Sequence, residues 1–272
     1  MSSTVRGGAI RRCLPALLVL ASVVPLWHGY RMLAAALGAE PAGRLGAAAA
    51  LGLAAIALVA LALRLEGRDR RSLGMAARWR EDLRAFAGGA LLWTLPAAAG
   101  IALCLALGWA RIEPLAGPGQ AVRLLAWLVP AVLLSEAIPE ELLFRGWLQS
   151  RLAARFARWL AVLLQAAAFC AFAWLAGAMT GAAQWMFLPG FALILGAVRA
   201  LTGSLWTSAG VHAAWMGVAQ ALAPANGQFA VEGLATLQVV AFALLPSAAM
   251  GVWFGIRHAG FDWRARDPAA GA

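Results

Sequence analysis

Charged residues are scarce in this chain, and lysine is absent altogether. Only 12% of the 272 residues are charged, whereas 63% are apolar and the mean hydropathy is +0.78. Soluble domains carry about 25% charged residues. The composition therefore excludes an ordinary soluble domain and indicates an integral membrane protein. Because a helix needs about 20 apolar residues to cross a bilayer, the length accommodates about eight spans with short loops.

The basic residues are all arginines, and they give a formal net charge of +10. In a soluble protein this balance would suggest a nucleic-acid partner. Here the arginines collect at both termini and in alternate loops, which is the pattern of cytoplasmic loops in membrane proteins. We therefore expect an even number of spans, both termini in the cytoplasm and no nucleic-acid partner. The all-arginine, alanine-rich composition favours a bacterial protein, and hence a bacterial inner membrane.

Cysteine and histidine are each present only three times. The cysteines lie in or beside apolar runs, without C-x-x-C spacing, which favours small core residues over disulfides or metal ligands. They are Cys13, Cys104 and Cys170. His212 is the only histidine deep in a later apolar run, so the chain has few side chains with which to bind a metal.

Eight apolar runs bounded by charges, glycine or proline are predicted to be the membrane spans. They cover residues 14–37, 43–64, 87–109, 122–148, 157–178, 183–200, 205–223 and 236–257. We divide the chain into residues 1–71 with the first two helices and the start of a basic loop, a core at 72–223, and residues 224–272 with an external loop, the last helix and a cytoplasmic tail. The sequence thus predicts an all-α polytopic membrane protein.

Four ionisable residues interrupt the fourth span, in the stretch SEAIPEELLFRGWLQ. Inserting one such residue at the centre of a membrane helix costs about 2.5 to 3.5 kcal/mol, so four together indicate pairing or a function. Glu141 and Arg145 are spaced to pair on one helix face. Glu136 and Glu140 have the same spacing but like charges, so either one is protonated or a polar partner on another helix lies opposite. Pro139 removes a backbone donor and predicts an irregular helix beside a polar cavity.

His212 is predicted to meet Glu140 in the cytoplasmic half of the membrane. Counted from the cytoplasmic ends of their helices, the two residues lie at similar depths of about 10 to 12 Å, given a rise of about 1.5 Å per residue. Three interpretations fit such a pair. The carboxylate could activate water for peptide hydrolysis, the two groups could relay protons in a transporter, or they could form a structural polar core.

The motifs resemble one known family. EELLFR at Glu140–Arg145 matches an E-E-x-x-x-R signature, and FCAFA and VRALTGSLWTSAGVHAAWM follow it downstream. These segments, with SLGM before the third span, resemble the CPBP family of intramembrane endopeptidases, which are similar to the type II CAAX prenyl protease and are also described as abortive-infection-type. The resemblance covers about residues 72 to 220. It implies an all-helical fold and hydrolysis of a peptide bond in a membrane-associated protein or peptide near the cytoplasmic face.

The resemblance also implies a role for each matched residue. Glu140 would be the general base that activates the attacking water. Glu141 and Arg145 would support it, with Arg145 holding the carboxylates in place. His212 would bind the oxyanion or a metal ion.

The chain departs from the family pattern at two positions. The family has F-x-x-x-H and H-x-x-x-N motifs, but Phe169 is followed by Ala173 and His212 by Met216. A zinc site of three protein ligands cannot be built from the matched positions alone, which leaves His212 as a possible ligand. Gln165 is expected to form a helix–helix hydrogen bond. Either the protein is a glutamate-type hydrolase with one helping histidine, or the site has decayed and the protein is an inactive scaffold or chaperone.

Overall fold

The computed structural model describes residues 3–38, 40–115 and 117–267, with side chains from Pro15 onward except at residues 183 and 225. The prediction for Cys13 concerns its side chain and lies outside what the structure describes. The long helices of this part of the chain follow one another with short connections. They are α1 Ser3–Leu37, α2 Pro41–Glu66, α3 Trp79–Ala106, α4 Pro118–Arg155, α5 Arg158–Leu175, α6 Ala182–Thr202, α7 Leu205–Ala221 and α8 Leu234–Arg257.

All of these helices except α7 are long and apolar enough to cross a bilayer, which makes 7 candidate spans among the described residues. Helix α7 has 17 residues, which at 1.5 Å per residue reach about 25 Å of a bilayer core of about 30 Å. The helices coincide with the eight predicted apolar runs. The prediction of an all-α polytopic membrane protein is confirmed.

Helix α3 begins at Trp79, earlier than the predicted start at residue 87. Its first turn carries Glu81 and Asp82, which are favourable at the positive end of the helix dipole. Asp82 also accepts a hydrogen bond of 2.8 Å from the backbone N–H of Ala76. Hydropathy could not include this charged turn, because it marks the apolar part of a helix and not its ends.

Helix α4 is irregular around Pro139. Two π-helical segments, Leu133–Ala137 and Glu141–Leu148, flank a short α-helical stretch at Ile138–Glu140. Proline has no N–H to donate, so the regular hydrogen-bond ladder cannot continue through it, and π-helical turns are frequent at functional sites. The irregularity predicted at Pro139 is present, and residues Glu141 to Trp147 that follow it are all buried.

Helices α3 and α7 pack with their backbones in direct contact. A Cβ atom on Gly89 would collide with the carbonyl oxygen of Thr207, and one on Gly210 would collide with that of Phe86. Small residues allow membrane helices to approach this closely. This contact fixes α7, which carries His212, against the bundle.

The arginine-rich segments lie together at one end of the bundle. Arg151 near the end of α4 forms an ion pair with Glu66 at the end of α2, in which Nε donates to Oε1 at 2.8 Å. The backbone N–H of Leu205 at the start of α7 donates to the carbonyl of Gly74 at 3.0 Å. We call this end the arginine-rich end.

The opposite end of the bundle is closed by a small antiparallel sheet. Strand β1, Arg111–Pro114, pairs with strand β2, Phe229–Glu232, with Arg111 opposite Glu232. Gly233 follows at φ 69°, and a Cβ there would collide with the carbonyl oxygen of Trp109. A glycine is needed at this position for both reasons. We call this end the arginine-poor end.

Candidate active site

Glu141 lies at the centre of a buried cluster that it forms with Arg145 and His212. Its Oε1 atom is 3.3 Å from Arg145 Nη1 and 3.1 Å from His212 Nδ1. All three side chains are at most 1% exposed. The pairing of Glu141 with Arg145 that the spacing predicted is present, and the imidazole of α7 joins it.

Glu140, the next residue along α4, has a different environment. Its Oε2 atom lies 3.8 Å from His212 Nε2, and its side chain is 13% exposed, against 1% for Glu141. Glu140 lines a cavity inside the bundle, whereas Glu141 does not. The predicted meeting of Glu140 and His212 is present, and Glu140 is the carboxylate of the pair that a small molecule can reach.

The His212 ring is held by two neighbouring side chains. When Glu141 is ionised it can only accept, so the facing Nδ1 carries a proton and Nε2 points to Glu140 and the cavity. Phe191 of α6 packs edge-on against the ring, with centroids 4.9 Å apart and an interplanar angle of 88°. These contacts fix which nitrogen faces the cavity.

Arg145 is completely enclosed by α4, α5 and α6. Its guanidinium carbon lies 4.6 Å from the centre of the Phe169 ring, a cation–π arrangement, and Nη2 lies 3.5 Å from the carbonyl oxygen of Ala192. Gln165 Nε2 donates to the same carbonyl at 3.0 Å. The helix–helix hydrogen bond expected of Gln165 is therefore formed, between α5 and α6.

Glu136 has a partner that the sequence did not reveal. Its Oε1 atom accepts a hydrogen bond of 2.5 Å from Nε2 of Gln220 on α7. The spacing of Glu136 and Glu140 predicted that one of them is protonated or that a polar residue of another helix lies opposite. Gln220 is such a residue. Gln220 lies about two turns beyond His212 on the same helix, so the two side chains share a helix face. That spacing could have identified Gln220 as a polar partner for α4.

The cavity has a volume of about 460 Å³. It is bounded by side chains of α1, α4, α5, α6 and α7. The lining residues include Ser135, Glu136, Glu140, Phe169, Ala173, Phe191, His212 and Met216. The two positions at which the chain departs from the resembled motifs, Ala173 and Met216, thus line the same cavity as His212.

The cluster does not fit a conventional metal site. Within residues 3–38, 40–115 and 117–267, no three His, Cys, Asp or Glu side chains are placed to hold a metal ion. A structural or catalytic zinc ion needs at least three protein ligands, and the methyl of Ala173 and the weakly accepting thioether of Met216 do not complete one.

The fold and the cluster together define an integral membrane protein whose helices enclose a Glu–Arg–His cluster beside a cavity. Residues 122–218 match the family model described as Type II CAAX prenyl endopeptidase Rce1-like. The match spans the segment from α4 to α7 that supplies Glu140, Glu141, Arg145 and His212, and it confirms the family resemblance. At the level of the family it supports a CAAX-type intramembrane protease. No curated protein and no solved structure matches the chain.

Proposed function

We propose that this protein hydrolyses a peptide bond of a membrane-associated protein or peptide inside its helix bundle, with Glu140 as the general base. The observation that carries this proposal is the contrast between two adjacent carboxylates. Glu140 lines the cavity and faces His212 Nε2 at 3.8 Å, whereas Glu141 is sealed behind it at 1% exposure. This contrast supports Glu140 as the base and Glu141 as a supporting residue.

Peptide hydrolysis by Glu140 proceeds in two proton transfers. Glu140 takes a proton from a water molecule whose oxygen attacks the substrate carbonyl carbon, so that a C–O bond forms and the carbonyl oxygen becomes an oxyanion. The protonated Glu140 then gives its proton to the amide nitrogen, and the C–N bond breaks. The products are a carboxylic acid and an amine. His212 Nε2 faces the cavity, and it donates to the oxyanion only when the imidazole carries a proton on both nitrogens.

Glu141 and Arg145 act as positioning residues in this scheme. Glu141 binds His212 Nδ1 at 3.1 Å and so directs Nε2 to the cavity. Arg145 neutralises Glu141 at 3.3 Å and is itself fixed by Phe169. Neither side chain lines the cavity, so both act on the substrate only through His212.

Ala173 and Met216 imply a slow reaction. Both line the cavity beside His212 and neither donates a hydrogen bond to an oxyanion. Losing one such donor typically raises the barrier by about 2.7 to 4 kcal/mol, roughly a hundred- to a thousand-fold in rate. The competing function, an inert membrane scaffold, predicts no hydrolysis at all, so a sensitive assay separates the two.

The test compares new protein amino termini in membranes of cells that produce the wild-type protein or the Glu140→Gln variant. The matched control is Glu232→Gln, because Glu232 is exposed on β2 and lies outside the cavity. We expect a set of amino termini that forms with the wild type and with Glu232→Gln and is absent with Glu140→Gln. If all three proteins give the same termini, Glu140 is not the base and the proposal is wrong.

We place the protein in a bacterial inner membrane with both termini in the cytoplasm. The support is the collection of the arginine-rich segments at one end of the bundle, as positive-inside topology requires. A reporter enzyme that works only in the cytoplasm should be active when it is fused after Asp267. Activity of a reporter that requires the outer side would contradict this orientation.

A further inference from the structure

The cavity is closed at one end and open at the other. At the closed end its walls are buried: His212 is 1% exposed, Phe169 and Phe191 are 2% exposed and Ala173 is 3% exposed. Toward the other end the lining residues Arg31, Gly177 and Ala178 are exposed. We call the part bounded by Arg31, Gly177, Ala178 and Gln184 the mouth.

The mouth lies at the arginine-poor end of the bundle. Helix α5 begins at the arginine-rich end, where the backbone N–H of Arg158 donates to the carbonyl of Ala265 in the tail at 3.0 Å. Gly177 and Ala178 follow the opposite end of this helix, at Leu175. Gln184 lies in the first turn of α6, and Arg31 lies in the last turns of α1. The cavity therefore leads from the glutamates away from the arginine-rich end. This differs from the family resemblance, which implied hydrolysis near the cytoplasmic face.

Arg31 is the one arginine among the described residues that line the cavity. Its Nη1 atom donates to the carbonyl oxygen of Ala176 at 2.9 Å, which holds the side chain across the mouth. A Cβ on Gly177 would lie 2.9 Å from the same nitrogen, so a glycine there leaves room for the guanidinium. The side chain is exposed, so its other N–H groups are free to bind a ligand.

We propose that the substrate reaches Glu140 through the mouth, from the arginine-poor side of the membrane, and that Arg31 binds a carboxylate of the substrate. This inference rests on the proposed function. A guanidinium has five donors in a planar fork that matches a carboxylate, and only one donor is used by Ala176. The closed end carries Glu136 and Glu140, so an anionic group of the substrate is favoured at the mouth and disfavoured beyond it.

The distances suit a short stretch of peptide. Ala176 lies about 10 Å along α5 from Phe169, given 1.5 Å per residue, and Phe169 marks the level of the buried cluster. A carboxylate on Arg31 and a peptide bond at Glu140 can thus belong to one extended segment. Trp27, Phe172 and Phe187 line the walls between them and favour apolar residues in that segment.

Binding is tested with the full-length Glu140→Gln protein in detergent, so that the result does not depend on hydrolysis. The probes are four fluorescent leucine- and alanine-rich peptides: one with a free C-terminal carboxylate, one with a C-terminal amide, and two amidated peptides with an internal Glu or Gln. We expect at least one carboxylate peptide to bind about tenfold more tightly than its neutral match, as for one charge-assisted hydrogen-bonded pair. The pair that discriminates shows whether the carboxylate is terminal or on a side chain.

Arg31→Gln should abolish this discrimination, and Arg31→Lys should keep part of it. The matched control is Arg44→Gln, because Arg44 is exposed, lies over the Trp127 ring at 5.4 Å and does not line the cavity. It should discriminate as before. Equal binding of all four peptides, or unchanged discrimination in Arg31→Gln, overturns the inference. If the wild type and Glu140→Gln instead produced the same new amino termini, the proposed function would be refuted, but these binding results would still hold.

The side of access is tested with two single-cysteine additions. Ala178→Cys places a thiol at the mouth, and Ala77→Cys places one on an exposed position of the arginine-rich segment. A membrane-impermeant maleimide should label Ala178→Cys in intact cells and Ala77→Cys only in inverted vesicles, with the wild type as the blank for native cysteines. The carboxylate peptide should slow labelling of Ala178→Cys. Labelling of both variants from the same side overturns the inference.

Discussion

Glu141 on α4 and His212 on α7 share one buried contact, in which Oε1 lies 3.1 Å from Nδ1. The same carboxylate oxygen lies 3.3 Å from Arg145 Nη1. A single oxygen therefore joins a guanidinium and an imidazole on two helices that are far apart in sequence. The stability of the bundle and the direction of the imidazole depend on the same atom, and variants can separate these two roles.

Removing Arg145 should destabilise the protein strongly. In Arg145→Met the Glu141 carboxylate stays buried without its cation, and breaking such a pair typically costs about 3 to 5 kcal/mol. The double variant Glu141→Leu/Arg145→Met should recover most of this loss, because it leaves no unpaired charge. The measurement is the free energy of unfolding in detergent.

The control for this prediction is Arg111→Met. Arg111 forms a 3.8 Å ion pair with Glu113, and both side chains are more than half exposed. Exposed pairs contribute about 0 to 1 kcal/mol, so this variant should unfold almost as the wild type does. A loss in Arg145→Met no larger than that in Arg111→Met would show that the buried pair does not hold the bundle.

Glu136 and Glu140 should respond differently to the same substitution. Glu136→Gln can keep its hydrogen bond to Gln220 after an amide flip, so we expect hydrolysis within a few-fold of the wild type. Glu140→Gln cannot accept a proton from water and should lose hydrolysis. The measurement is the rate of appearance of the new amino termini. If Glu136→Gln loses as much as Glu140→Gln, the general base has been assigned to the wrong carboxylate or both are needed.

The sequence predicted the helices better than their contacts. Apolar runs and arginine-rich loops placed all eight long helices, and the four-residue spacing paired Glu141 with Arg145. It could not predict that Gln220 faces Glu136 or that Arg31 reaches Ala176. Helices of this kind are apolar on every face, so periodicity does not show which face meets which neighbour.

The contact between Glu140 and His212 was predicted from helix depth and from the family resemblance, not from side-chain packing. Depth counting placed them at the same level without distinguishing Glu140 from Glu141, and the family resemblance implied that Glu140 is the base and Glu141 its support. Only the packing shows that Glu141 holds Nδ1 while Glu140 faces Nε2. The π-helical segments on both sides of Pro139 also depart from ideal helix geometry, so ideal helical spacing does not predict which of the two glutamates faces which nitrogen of His212.

The double variant Ala173→His/Met216→Asn should hydrolyse faster than the wild type. Both positions line the cavity beside His212, so the new side chains would add hydrogen-bond donors near the oxyanion. One recovered donor corresponds to roughly a hundredfold. The rate is measured as the appearance of new amino termini, with and without added zinc, since a second imidazole also adds a metal ligand.

The control for this gain is the same double variant carrying Glu140→Gln, which should be inactive. No gain in the double variant, at unchanged thermal stability, would indicate that Ala173 and Met216 do not limit the reaction. A gain that survives Glu140→Gln would show a new metal-dependent activity instead of a restored one.

Two adjacent glycines of α3 should show how closely this helix packs on α7. Gly89 faces the Thr207 carbonyl, and a Cβ there would collide with backbone that cannot move aside cheaply. Gly89→Ala should therefore destabilise the protein by about 1 to 3 kcal/mol, the usual range for overpacking. At Gly88 no atom lies within 4 Å of the place that a methyl group would occupy, so Gly88→Ala should be neutral or stabilising by up to about 1 kcal/mol. Because the two variants make the same chemical change one residue apart, equal unfolding free energies would contradict the backbone contact between α3 and α7 that positions His212.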